Sequence, residues 1–389
     1  MTQVDSIQAL LNQRYHQFFL DIKTAQNNLQ NADKPVLTGV ELEQSKTSRS
    51  LLRVEKQAIR EKDLNHKHTL NYLNLNLSRL NQQVEERLDV SLQDIEQLYT
   101  KVIGIEDTLP KLLDLLAVKA ATTSRVEALA TELPWFFQDL LKLVNQPKYR
   151  RTDSKGKVIL IDSLRAALNR FGLENLSPVV LSLAFRRWLP QITDPYPLIK
   201  NRIWEEALAT SIICRKLASI HQIDENQAFI LGMLSMLGYI VVVRLYFRLF
   251  DTIQREALIE AQNAQEHELH AALSRLSPSG DFLTQLIDKY ALNISAQLID
   301  MMGMQRVFIA NGMREVANPS ETSEISPLAL TLLQARAYSR YRLLKAHQLI
   351  DMQEAKEFVK SLQLPTGALT LLKTTDIRSL NLQINNQAG

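Results

Sequence analysis

The chain of 389 residues carries 45 Lys and Arg against 42 Asp and Glu, a formal charge of +3 that is too small to imply a polyanion, so no nucleic-acid partner is expected. Glycine and proline number only 11 and 12, about half their usual share, which excludes collagen-like and turn-rich folds, while 46% apolar residues exclude a disordered chain. The single cysteine, Cys214, excludes an intrachain disulfide and a four-Cys or CxxC metal site within one chain, and it fits a reducing compartment.

In chain order, Ile7, Leu10, Leu11, Tyr15, Phe18, Phe19 and Ile22 form the i, i+3, i+4, i+7 stripe of an amphipathic helix that stops before Asp33-Lys34-Pro35. No basic-then-apolar leader precedes it, which gives the expectation of a cytoplasmic protein. From Leu42 to Leu88 the chain is rich in Lys, Glu, Gln, Asn and Leu, and Leu70, Leu73, Leu77, Leu80 and Val84 repeat with heptad spacing. Two heptads admit either a coiled-coil homodimer contact or a helix packed within the monomer. A helix opened by Ser91-Leu-Gln-Asp94 would end on Gly104, which places a boundary there: 1–104 as an N-terminal helical domain, with a coiled-coil hairpin as one form, and 105–389 as a second helical domain.

Beyond Gly104, Ser124-Arg-Val-Glu127, Asp224-Glu-Asn-Gln227 and Asp351-Met-Gln-Glu354 read as capping boxes, and Ser177-Pro178 and Ser326-Pro327 as helix starts. Val158 to Ile161 is the best strand signal, and it serves equally as the lead-in to a helix beginning near Asp162. The longest nonpolar run, Ala228 to Val243, is shorter than the ~20 residues of a membrane span. The fold class is all-α.

Phosphate-binding glycine loops are absent, and no GxSxG elbow occurs. His267 and His270 share a helix face without an evident third ligand, and His66 and His68 point to different sides of their helix. Cys214 lies in an apolar stretch and reads as an inert core thiol. Two basic clusters stand out: Lys148, Arg150, Arg151, Lys155 and Lys157 in a loop, and Arg336, Arg340, Arg342 and Lys345 interleaved with Tyr338 and Tyr341 on a helix. Arg336, Arg340 and Lys345 recur near helical spacing and are a candidate cationic stripe for a phosphate, a nucleotide or an acidic partner.

From Leu109 to Ser339 the order of motifs resembles HDOD domains, the HD-related output domains of bacterial signalling proteins. The likeness is carried by Leu109-Pro110, Ala130-Thr-Glu-Leu-Pro134, Leu140-Leu-Lys-Leu-Val-Asn145-Gln-Pro-Lys-Tyr149, Ile161 to Leu168 with Phe171-Gly-Leu173, Ile203-Trp204-Glu-Glu206, and Ala228 to Gly238. In the wider HD superfamily a histidine, a His-Asp pair and a distant aspartate hold metal that activates water against a phosphate ester. The resemblance sets Glu206, Ser235, Met236 and Arg336 at those positions. Only the glutamate is a good ligand, so the resemblance implies a lost metal site, no cofactor and no catalytic residue. A buried Glu206–Arg336 pair would then neutralise the vacated space. The implied role is a non-catalytic signal-transduction protein that contacts protein partners. The alternatives are a phosphohydrolase or phosphodiesterase with other ligands, such as His221, His267 and His270, and a nucleotide-sensing regulator.

Overall fold

The scarcity of helix breakers has its direct consequence in the computed structural model, which describes residues 3–31, 39–46, 49–118, 121–152, 157–319 and 324–380. In chain order the helices are α1 (Gln3–Leu20), α2 (Ile22–Asn31), α3 (Gly39–Lys46) and the 40-residue α4 (Arg53–Leu92). A short α5 (Ile95–Gln97) runs into a π-helical turn (Leu98–Ile103), followed by α6 (Thr108–Leu116), α7 (Thr123–Thr131) and α8 (Pro134–Val144). After a hairpin of β1 (Arg151–Thr152) and β2 (Val158–Ile159) come α9 (Leu164–Phe171), α10 (Leu173–Trp188), α11 (Ile199–His221), α12 (Glu225–Leu234) and α13 (Leu237–Asn263). The chain ends with α14 (His267–Leu273), α15 (Gly280–Met301), α16 (Ala310–Ala317), α17 (Pro327–Ala346), α18 (Met352–Ser361) and α19 (Ala368–Thr374). The protein is all-α, and the hairpin is its only sheet among the described residues.

The core is built on α11, which packs between α12 and α17, and on α13, which packs against α15. Two glycines set those crossings. A Cβ on Gly232 would lie 2.7 Å from Cα of Ser211 in α11, and one on Gly238 would lie 1.8 Å from the carbonyl oxygen of Ala291 in α15. The backbones meet because no side chain stands between them. Ser295 of α15 stitches the break between α12 and α13: its hydroxyl accepts from the amide of Gly238 at 2.8 Å and donates to the carbonyl of Ser235 at 2.9 Å. The most apolar stretch lies in Glu225–Asn263, and 94% of its most apolar window is buried inside the protein, as in a core helix.

The apolar stripe of α1 puts Ile7, Leu11, Tyr15, Phe18 and Phe19 into this core, against α11, α15, α17 and α18. The helix breaks earlier than its sequence suggests, because the Asp21 carboxylate accepts from the amides of Lys23 and Thr24 and starts α2. The expected stop at Asp33-Lys34-Pro35 lies outside the described residues. The Leu70–Val84 seam divides: Leu80 and Val84 are buried in the contact of α4 with α13 and α14, whereas Leu70 is exposed. The inner half of the seam is thus a contact within the monomer. Buried residues of 3–104 are continuous with those of the rest of the chain.

Three expected caps are present: Asp224 accepts from the amide of Gln227, Ser326 from Ala329, and Asp351 forms a full box with Glu354. Two others are displaced. Ser91 sits in the last turn of α4 and donates to the carbonyl of Arg87, so the N-cap after it is Asp94, while α7 starts from Thr122 rather than Ser124. Ser177-Pro178 falls inside α10, whose start is Gly172. Gly104 does end the π turn, at φ 79°.

Candidate functional site

Three helices meet at the Glu206 carboxylate, and α13 and the α12–α13 break join them through the two arginines of α17. The α11 helix carries Glu206 with no solvent exposure, the break supplies Ser235 and Met236, and α13 supplies Tyr239. Arg336 and Arg340 stand one turn apart on α17, and Tyr15 and Asn12 reach in from α1.

Arg340 Nε donates to Glu206 Oε1 at 2.8 Å, and the Tyr15 hydroxyl donates to Glu206 Oε2. Arg340 Nη2 donates to the Tyr239 hydroxyl at 2.7 Å, and Arg336 Nη2 donates to the same oxygen at 2.9 Å. The Arg340 guanidinium also lies 4.5 Å over the Tyr15 ring, and Arg336 Nη1 is 3.8 Å from the Met236 sulfur. The expected direct Glu206–Arg336 pair is therefore replaced. The carboxylate takes the arginine one turn further along α17, and Arg336 joins the cluster through Tyr239.

Burial alone would raise the Glu206 carboxyl, but the Arg340 and Arg336 charges and the Tyr15 hydrogen bond outweigh it and hold the group below its ordinary value. Burial and the adjacent carboxylate push the Tyr15 hydroxyl well above its ordinary value. The site is thus a fixed ion pair with a phenol donor, built without a free acid or base.

The cationic stripe does not hold together. Arg336 is 8% exposed and Arg340 is drawn inward, whereas Lys345 is exposed, donates to the Tyr341 hydroxyl at 3.3 Å, and faces a separate groove beside Lys356, Lys360 and Lys373. Five residues turn a helix by about 140°, so Lys345 leaves the face that Arg340 occupies.

The donor set does not fit a metal. The Ser235 hydroxyl donates to the carbonyl of Gly232 at 2.8 Å, and Met236 offers a thioether already against the Arg336 guanidinium. The alternative ligands are also dispersed: His221 is paired with Gln334 at 3.0 Å, while His267 and His270 lie on α14, which packs on α13 and α4. Among the described residues no three His, Cys, Asp or Glu side chains converge as a metal set. Cys214 is buried, and burial raises its thiol far above the usual range. Of the loop cluster, Lys148 donates to the carbonyl of Leu380, and Lys155 lies outside the described residues.

Tyr15, Asn12 and Tyr239 are absent from the sequence-based reading of the site. Tyr15 and Tyr239 each sit at an apolar position of a helix, where a tyrosine reads as core and its hydroxyl carries no positional signal.

The order of the helices from Gly104 onward, with the Glu206 helix followed by the Ser235-Met236 break, is the framework that comparison with known families recovers: residues 104–278 match the HDOD domain. This chain carries an HDOD domain. The HDOD match begins at the glycine that ends the π turn and contains Glu206, Ser235, Met236 and Tyr239, while Tyr15, Arg336 and Arg340 come from outside it. A solved structure from Shewanella amazonensis SB2B, described as a "Putative phosphohydrolase", is similar over 72% of this chain and 96% of that one, at 17% identity and a TM-score of 0.40. No curated protein matches the sequence.

Proposed function

We propose that this HDOD protein is a non-catalytic regulatory component of bacterial signal transduction that acts through contact with protein partners. The observation that carries the reading is the commitment of Glu206, its one good metal-ligand candidate, to Arg340 and Tyr15. A carboxylate so neutralised has no charge to offer a cation, and the neighbouring guanidinium of Arg336 opposes one by Coulomb repulsion of about 4 kcal/mol per unit charge at 4 Å and an effective dielectric of 20. The ion pair serves as a structural element that fixes α1 and α17 on α11, leaving the helical surface for contacts with partners.

The test uses protein purified without chelator. Elemental analysis is expected to give metal well below one ion per chain, and bis(p-nitrophenyl) phosphate with added Mn2+ is expected to remain intact. Stoichiometric metal together with turnover that a Glu206→Gln variant loses would overturn the proposal.

A further inference from the structure

Charge within the Glu206 cluster is unbalanced. Two guanidinium groups, Arg336 and Arg340, face one carboxylate, and the other partners are the hydroxyls of Tyr15 and Tyr239, the amide of Asn12 and a thioether. Arg336 is more than nine-tenths buried, yet no carboxylate pairs with it among the described residues. A buried cation without a counterion is costly, so an anion that reaches it is bound with corresponding benefit.

A path to it exists. Arg336 and Arg340 both line a cavity of about 410 Å3 between α1, α17 and α18, within the range of small-molecule sites. Its polar lining includes the two arginines and the exposed Asn12, whose carbonyl oxygen lies 3.5 Å from Arg340 Nη1, too far for a strong bond. Its apolar lining comprises the buried Leu11 and Phe358 and the partly exposed Leu330 and Leu333. The Gln334 amide, which also lines it, is already engaged by His221 and by the carbonyls of Leu362 and Gln363.

We propose that this cavity binds a small carboxylic acid, its carboxylate on Arg336 and Arg340 and its hydrocarbon body against Leu330, Leu333 and Phe358. One excess positive charge matches one carboxylate, and the guanidinium fork matches its two oxygens. The apolar walls select against a bare, strongly hydrated anion. Because α1 forms one wall, occupancy adds a link between α1 and α17. The inference is independent of the regulatory reading, since ligand binding and phosphodiester hydrolysis are measured separately.

Hexanoate is the probe, with 1-hexanol and inorganic phosphate as controls, read by thermal shift and titration calorimetry on the full chain. Hexanoate is expected to bind with a Kd on the order of 1 mM, as suits so few atoms, and to raise Tm by about 1–2 °C at tenfold excess over Kd. Hexanol and phosphate are expected to do neither. Arg336→Met and Leu333→Trp should each abolish the response, the first by removing the charge and the second by filling the cavity. Leu333 is 38% exposed, so its variant keeps the fold and decides the matter if Arg336→Met does not fold. Absence of a hexanoate response, an equal response to hexanol, a response to phosphate alone, or binding that survives Leu333→Trp would each overturn the proposal.

Discussion

At Glu206 a single carboxylate holds three helices, and its loss should be felt as a loss of stability. Glu206→Gln leaves Arg340 buried without its counter-charge, and the expected cost is roughly 3–5 kcal/mol, measurable by urea unfolding at neutral pH. The acid dependence has a defined sign. Since the folded carboxyl lies below the ordinary value of 4.5, its stabilisation is complete above that value and is lost as pH falls through the depressed one. The wild type should therefore lose more stability than Glu206→Gln on acidification below about pH 4.5. Cys214, buried and with a raised thiol, should stay unreactive toward a disulfide reagent until the chain is unfolded, and labelling at the native rate of an exposed thiol would contradict its placement. The family likeness led to Glu206, Ser235, Met236 and Arg336. The carboxylate's actual partner, Arg340, was legible only as one cation among several, because choosing between arginines one turn apart depends on how α17 is rotated against α11, and no local pattern encodes that rotation.

Helix positions divide into those set by local rules and those set by neighbours. Asp224, Ser326 and Asp351 were readable as caps because their partners lie within three residues. Ser91 and Ser124 have the same local spacing but fall inside helices, since packing of α4 along α13 extends it past Ser91, and α7 begins two residues early at Thr122. The close crossings were not legible at all, because a glycine in an apolar run does not announce what approaches it. Gly238→Ala should cost more than about 3 kcal/mol, as its new carbon would meet the Ala291 carbonyl. Gly367→Ala, with open space around it but φ 83°, should cost only about 1 kcal/mol. Comparable losses in the two variants would argue against backbone contact at the α13–α15 crossing.

Across the whole molecule, the first helix and the last third of the chain depend on one another. Besides Tyr15, Arg14 of α1 forms a two-pronged salt bridge with Glu354 of α18 at 2.6 and 2.7 Å, and Phe18 packs against the His347 ring with centroids 4.9 Å apart. Phe18→Ala is expected to cost roughly 3–5 kcal/mol, as for a core aromatic rather than a residue of a detachable segment, and a loss under 1 kcal/mol would imply that α1 is dispensable. All-helical architecture followed from composition, whereas the docking of α1 more than 300 residues away left only an apolar period in the sequence. Periodicity states that a face is buried and is silent on what buries it.

The outer portion of α4 has a different fate. Val54 is 77% exposed, Leu64 55% and Leu75 51%, so many of the apolar side chains along this arm face water, and so long a helix with little tertiary cover holds its shape only marginally. A protease should find its first cut there, at Lys62 or Lys67, well before the body of the protein yields. Because the severed amino-terminal piece remains clasped through Tyr15, Arg14 and Phe18, the two fragments should co-migrate under native conditions and part only in denaturant.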